Sequence, residues 1–282
     1  MSTVAFESKP VSPPIPNFRS QFSHLRTEIE ISELWPSPDD PSVENLVTEN
    51  DEPVDNIFSE KQQRFLTESL YASWTGPGPG RPFLALANVG LFYTLRLPPI
   101  VPDVLVSVDV NMPEDVWIKR KRSYLVWEYG KPPDVAIEVV SNQEGEEDGR
   151  KFQLYAQAKV PYYVIFDPIE ELGNGVLRVY ERRGNRYVEI PDRWLPGLQL
   201  GLTLWEGWFE DKDDVWLRWC DRDGHLLLTS AEQAQQERQQ KELALSQLTQ
   251  ERREKELAQW QRDQLIAQLR SLGINPDELL KK

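Results

Sequence analysis

The apolar pattern of the chain is densest between residues 100 and 168. An apolar run closed by carboxylates, Ile100-Val101-Pro102-Asp103-Val104-Leu105-Val106-Ser107-Val108-Asp109, opens it. Pro132-Pro133-Asp134-Val135-Ala136-Ile137-Glu138-Val139-Val140-Ser141 follows, and Tyr162-Tyr163-Val164-Ile165-Phe166-Asp167 closes it. Runs rich in β-branched and aromatic residues, bounded by Pro and polar clusters, are read as strands. Between the second and third runs, a polar turn leads into a helical pattern from about Glu147 to Ala158. A crossover helix is expected there, giving the local order β–β–α–β.

The flanking segments fill in around this stretch. Ile57 to Trp74 shows helical spacing, with Phe58, Phe65, Leu66 and Leu70 as the apolar positions and Ser59 or Asp55 as the cap. Phe83 to Leu97 reads as strands around Asn88-Val89-Gly90. Val176 to Glu181 and Arg186 to Ile190 read as a hairpin around Arg182-Arg183-Gly184-Asn185. Trp205, Trp208, Trp216 and Trp219 lie in a segment expected to close a small β core, because basic residues are sparse there. From Ala231 to Leu272 the chain turns to Gln, Glu, Arg, Leu and Ala, the signature of a long helix stopped by Gly273 and Pro276. Leu245, Leu248, Ile266 and Leu269 fit one heptad seam, but Arg252, Lys255, Gln259 and Arg262 interrupt it. A long helix is expected, and a coiled coil is left open. Three regions result: a Pro-rich acidic arm over 1–45, a core over 46–228, and a helical tail over 229–282.

Strand alternation sorts the carboxylates. Asp103 shares a face with Leu105, Ser107 and Asp109. Asp134, Ala136, Glu138 and Val140 share another. Glu138 is thus a carboxylate amid apolar positions, where a charge is rarely buried without a partner. Asp134 lies about 13 Å along the same strand, too far for one small cation to be held by both. If Asp103 stands beside Glu138 on a neighbouring strand, the two could share a hard cation such as Mg²⁺. Asp148, Lys151, Tyr155 and Ala158 recur at helical spacing, so Lys151 could reach over the sheet toward Glu138.

Composition limits the alternatives. Cys220 is the only cysteine among 282 residues, which excludes an internal disulfide framework and fits a reducing cytosol. His24 and His225 are the only histidines and sit in the arm and a turn, so a His-ligated zinc or a Ser-His-Asp triad has little support. No apolar run has membrane-spanning length, and the start shows no signal-peptide pattern, so a cytoplasmic protein is expected. The net charge is −14; the tail from Ala231 is balanced, so the excess lies in the arm and core. That balance opposes tight non-specific DNA binding. Lys119-Arg120-Lys121-Arg122 is the densest basic patch, readable equally as a solvated loop or a DNA contact. Asp221-Arg222-Asp223-Gly224 reads as a turn, since the later ligands of a calcium loop are missing.

The run P-D-V-A-I-E-V-V-S, then D-G-R-K-F-Q-L-Y-A, then V-P-Y-Y-V-I-F-D-P resembles the Uma-two family of endonucleases, within the PD-(D/E)XK restriction-endonuclease-like superfamily. The resemblance covers about residues 45–225. It implies an α/β (α+β) fold with a restriction-endonuclease-like central mixed sheet flanked by helices, here with the long C-terminal helix added. Asp103 in V-P-D-V matches the superfamily's Asp, and Glu138 matches the acidic residue of its E-x-K element. Val140 stands where the Lys would be; in the Uma-two pattern the next helix supplies it, and Lys151 fits that place. The resemblance implies Mg²⁺-dependent hydrolysis of DNA phosphodiesters, with Mn²⁺ as a substitute. Asp103, Glu138 and the backbone carbonyl of Val139 would hold the metal, Lys151 would assist, and Asp148, Tyr155 and Asp134 would support them. Nucleic acid is the expected partner, and a homo-oligomer through the helical tail is left open. The alternative is a non-catalytic scaffold that keeps the nuclease-like core and works through its helix and acidic arm.

Overall fold

The computed structural model describes residues 56–141, 147 and 149–273. The arm over 1–45 therefore lies outside the described residues. The first element is helix α1, Ile57–Ser73. Neither cap suggested by the sequence serves it: Asp55 lies outside the described residues, and Ser59 is already inside the helix. Asn56, in an extended conformation, accepts the Ser59 amide at 2.8 Å, which satisfies one of the open N–H groups of the first turn.

Six strands form the central sheet: β1 (Phe83–Ala87), β3 (Val104–Val108), β5 (Val135–Val139), β6 (Tyr162–Phe166), β7 (Leu177–Arg183) and β8 (Arg186–Glu189), in the order β1-β3-β5-β6-β7-β8. Only β5 and β6 run parallel; every other neighbouring pair is antiparallel. The parallel pair is linked through α3 (Arg150–Gln157), the crossover that the apolar pattern predicts. Two short strands, β2 (Leu91–Phe92) and β4 (Tyr124–Leu125), pair in parallel apart from the main sheet. A turn of 3-10 helix, Lys119–Lys121, precedes β4, and the one-turn helix α2 (Val126–Tyr129) follows it.

The sheet has two covered faces, and strand alternation assigns its residues to them. Val104, Val106, Val135, Ile137, Val139, Val164 and Phe166 face one layer, where Leu66 and Leu70 of α1 meet Leu217 and Trp219. The latter two belong to a three-stranded sheet of β9 (Trp194–Leu195), β10 (Leu200–Phe209) and β11 (Lys212–Cys220). Trp216 and Trp219 are wholly buried there, so these tryptophans close the core rather than wait for a base. Leu105, Ala136, Tyr163 and Ile165 face the other layer, with Tyr155 of α3 and Tyr124. This second face carries the candidate site.

The tail is one helix, α4 (Ser230–Ser271), none of whose residues is buried. Thr229 and Glu232 begin it with a reciprocal capping box. Glu232 also holds Arg218 of β11 through two contacts of 2.7 Å. Arg218 is only 2% exposed and lies over the rings of Phe65 and Trp205. The start of α4 is therefore tied to the core, and the rest stands clear of it. Deleting the chain from residue 237 onward should leave urea stability nearly unchanged. Deleting from residue 229 should cost about 3–5 kcal/mol, because it strands a buried guanidinium. Equal losses for the two deletions would show that the outer helix also supports the core. No helix among the described residues is long and apolar enough to cross a membrane.

Candidate functional site

The site forms where β3 begins and β5 ends. Register pairs Val104 with Ile137, so one step further Asp103 stands against the Glu138–Val139 end of β5, at the roughly 5 Å spacing of cross-strand neighbours. The Asp103 carboxylate is fixed on both sides. One oxygen accepts the Val139 amide at 2.6 Å and the other accepts the Gln63 side chain at 2.8 Å. Gln63 in turn accepts from the Asn88 amide at 3.0 Å. Asn88 occupies the left-handed region (φ 53°) just beyond β1, a conformation that Asn tolerates better than most residues. Its backbone N–H also meets the Asp103 carbonyl at 3.2 Å.

Glu138 is 1% exposed. One of its oxygens accepts the Tyr155 hydroxyl at 2.6 Å, the other the Lys151 ammonium at 2.9 Å. Lys151 and Tyr155 are one helical turn apart on α3, and that spacing brings both over β5. Loss of hydration drives the Glu138 carboxyl up to about 8; Lys151 pulls it back and Asp103 adds to the rise. Burial acts against the Lys151 ammonium, but the charge of Glu138 outweighs it and holds the amine protonated. The pair responds on the carboxyl side because Glu138 is enclosed, whereas the Lys151 side chain stays 29% exposed and partly hydrated. Tyr155 is pushed well above its ordinary value by burial and by Glu138, so it remains a donor.

A third carboxylate completes the cluster. Glu147 lies 3.5 Å from the Lys151 ammonium, and its backbone carbonyl accepts the Tyr163 hydroxyl at 2.8 Å. Two acidic side chains, Glu138 and Glu147, thus meet a single lysine, and Asp103 on the neighbouring strand adds its field. Oxygen donors of this kind suit a hard divalent cation.

A sequence model of the Uma2 family, described as "Putative restriction endonuclease", matches residues 34–205. The chain belongs to the Uma2 family. That span takes in Asp103, Glu138 and Lys151, and the mixed sheet with its flanking helices has the restriction-endonuclease-like architecture. No curated protein and no solved structure matches the chain.

Of the residues singled out in this Uma2 chain by sequence, Asp103, Glu138, Lys151 and Tyr155 come together. Asp134 does not. It lies at the opposite end of β5, where it pairs with Lys131 at 2.5 Å and accepts the Val108 amide at 2.8 Å. Its position before the strand puts it a strand's length from Glu138, so it serves the fold there rather than the cluster. Asp148 lies outside the described residues. Glu147, one residue earlier, is the acidic group that meets Lys151, and its spacing of four before that lysine was the available signal.

Gln63 was also missed. Glu60 and Glu68, the acids of α1, point elsewhere: Glu60 pairs with Arg64, and Glu68 accepts from the Ser230 amide. The residue of α1 that touches Asp103 is an amide. Gln62 and Gln63 fall on the buried stripe of α1 beside Leu66 and Leu70, and polar residues on such a stripe were the clue. Replacing Gln63 with Leu should destabilise the protein by about 1–3 kcal/mol by removing a buried partner of Asp103. Urea denaturation measures this, and a change under about 0.5 kcal/mol would deny Gln63 that role.

Elsewhere, Asp221, Asp223 and His225 bring one potential ligand atom each within 4.8 Å of one another. Their arrangement is that of a turn: Asp221 accepts the backbone amides of Asp223 and His225 and meets the His225 ring at 3.0 Å. It answers the expected Asp221–Gly224 turn and needs no ion to explain it.

Proposed function

We propose that this Uma2 protein is a Mg²⁺-dependent endonuclease that hydrolyses DNA phosphodiester bonds, with Mn²⁺ able to substitute. The observation that carries the reading is the burial of Glu138 opposite Asp103, with an ammonium on one oxygen and a tyrosyl hydroxyl on the other. A carboxylate enclosed in a sheet at this expense is characteristic of functional sites. The donor set fits the metal, since Asp103 and Glu138 offer hard oxygens, and the carbonyl of Val139 is assigned as a further ligand. A bound divalent cation would polarise a phosphoryl oxygen and make hydroxide available from water near neutral pH.

The chain's own residues would then position the reaction. Asp103 is held in place by Gln63 and the Val139 amide, so it does not need to reorganise. Lys151, partly open to solvent, would orient the attacking water or steady the negative charge that builds on the phosphate. Tyr155 keeps the Glu138 carboxyl aimed. Nucleic acid as substrate also fits the loop before β4. There Lys119, Arg120, Lys121 and Arg122 gather next to Trp117, which is 79% exposed. The Asp115 side chain holds the Trp117 amide at 2.8 Å, and Arg122 holds its carbonyl at 3.1 Å. Tyr124 then anchors the loop by bonding Ser107 on the same face of the sheet as Glu138.

One observation favours a second reading. Both oxygens of Glu138 already have partners within the chain, as they would in a scaffold whose ion cluster is purely structural. Plasmid cleavage separates the two. Wild type should nick DNA with Mg²⁺ or Mn²⁺, while Asp103→Asn and Glu138→Gln should each lose about 10²-fold or more in rate. Undiminished cleavage by both variants would overturn the site, and an inactive wild type would favour the scaffold.

A further inference from the structure

The carboxylate of Glu147 has a feature that neither the fold nor the Lys151 contact accounts for. The residue is 4% exposed, yet its Oε2 is buried without a hydrogen-bond partner among the described residues. Stripping a carboxylate oxygen of water and giving it nothing in return is costly, so such an atom points to a ligand. Looseness does not explain it, because Tyr163, itself fully buried, grips the Glu147 carbonyl at 2.8 Å and fixes the residue over the sheet. The neighbour of Glu147 in space is the Lys151 ammonium, which also meets Glu138 and lies in the field of Asp103.

We infer that Glu147 is a third cation-holding carboxylate of this site, and that Lys151 occupies the cation's place between Glu138 and Glu147 until a divalent ion displaces it. The inference rests on the metal-dependent reading above and adds a ligand and an exchange to it. Two glutamates share one ammonium, with Asp103 in its field, so positive charge is short once Glu138 ionises, and a divalent cation makes it up. The geometry allows the exchange: Lys151 bridges the two glutamates at 2.9 and 3.5 Å, and its partly exposed side chain has water to move toward. Once free of the glutamates, the ammonium is at the mouth of the site, where a phosphate would arrive. Ligand and lysine therefore have opposite relations to the metal. Glu147 binds it, and Lys151 competes with it.

Calorimetric titration of the full chain with MgCl₂ and with MnCl₂ tests this without any substrate. Glu147→Gln should weaken binding at least about tenfold, the scale on which metal-site contacts act. On the high-pH plateau of the affinity profile, where Glu138 is ionised in both proteins, Lys151→Met should bind as tightly as wild type or more tightly. Were Glu147 merely a support for Lys151, both variants would weaken binding together, and that result would overturn the inference. So would wild-type affinity in Glu147→Gln, which would leave the two-carboxylate metal site intact. Wild type that binds neither ion would remove the metal site and this inference with it. Glu147→Asp is the second variant, should the Gln form melt too low to titrate. It keeps the charge but withdraws the carboxylate by one methylene, so its binding should also weaken; unchanged affinity there overturns the assignment.

Discussion

Lys151→Met should abolish most DNA cleavage while leaving the protein folded at pH 7. The Met stem keeps the length of the side chain, so packing changes little, but the one ammonium in the cluster is gone. Losing a single preorganised electrostatic contact costs about 10²–10³ in rate. Glu138 decides what happens to stability. Its carboxyl already sits at about 8 in the cation-free protein, and losing Lys151 pushes it higher. At pH 7 it therefore takes up a proton and keeps its bond to Tyr155 rather than remaining an unpaired buried charge. The variant should melt close to wild type at pH 7 and fall behind it above pH 8, where wild type retains a charge pair. If the cluster were a structural ion pair only, removing the lysine would cost about 3–5 kcal/mol already at pH 7, with no cleavage by wild type to lose. Plasmid nicking together with thermal melts at pH 7 and pH 9 distinguishes the two patterns.

Mg²⁺ affinity should rise about tenfold per pH unit between roughly pH 6 and pH 8 and then level off. The sign follows from Glu138. Burial raises its carboxyl from 4.5 to about 8, so below that point a cation must expel a proton before it can use the group, and the expelled proton makes affinity pH-dependent. Calorimetry in two buffers of different ionisation enthalpy should register close to one proton released at pH 7. Stability of the cation-free protein should run the opposite way. Between pH 4.5 and 8 the folded state holds a proton that the unfolded chain has lost, so stability falls as pH rises, by up to about 1.4 kcal/mol per unit. Both slopes should vanish in Glu138→Gln. A flat affinity profile in wild type would show that Glu138 enters the complex already ionised.

Much of this arrangement can be read along the chain. Alternation at period two set Asp103 and Glu138 apart from the valines between them, and helical spacing stacked Lys151 beneath Tyr155. These signals are local, and each needs only a few consecutive residues. What stayed hidden depends on contacts between distant segments. Gln63 reaches Asp103 across 40 positions, and nothing in the pattern of α1 says which face of the sheet an amide on its buried stripe will find. Asp134 is a different case: it carries the right chemistry one strand-length from the right place, as its spacing along β5 already indicated, and it pairs locally with Lys131 three residues before it. The pairing of β2 with β4 also stayed hidden, since two-residue strands leave no period to detect.

The two glutamines of α1 have a consequence for where this protein can be divided. Gln63 holds Asp103, while its neighbour Gln62 both donates to and accepts from the backbone of Leu217 on β11, at 2.9 and 3.0 Å. The family match ends at residue 205, in the middle of β10, and β11 lies wholly beyond it. A protein cut at that boundary would keep every acidic residue of the cluster. It would nevertheless lose the strand that steadies α1, and with it the amide that aims Asp103. The stretch recognisable by descent is thus shorter than the stretch needed to fold the site, and a minimal fragment would have to run past Glu232, the partner of the buried Arg218.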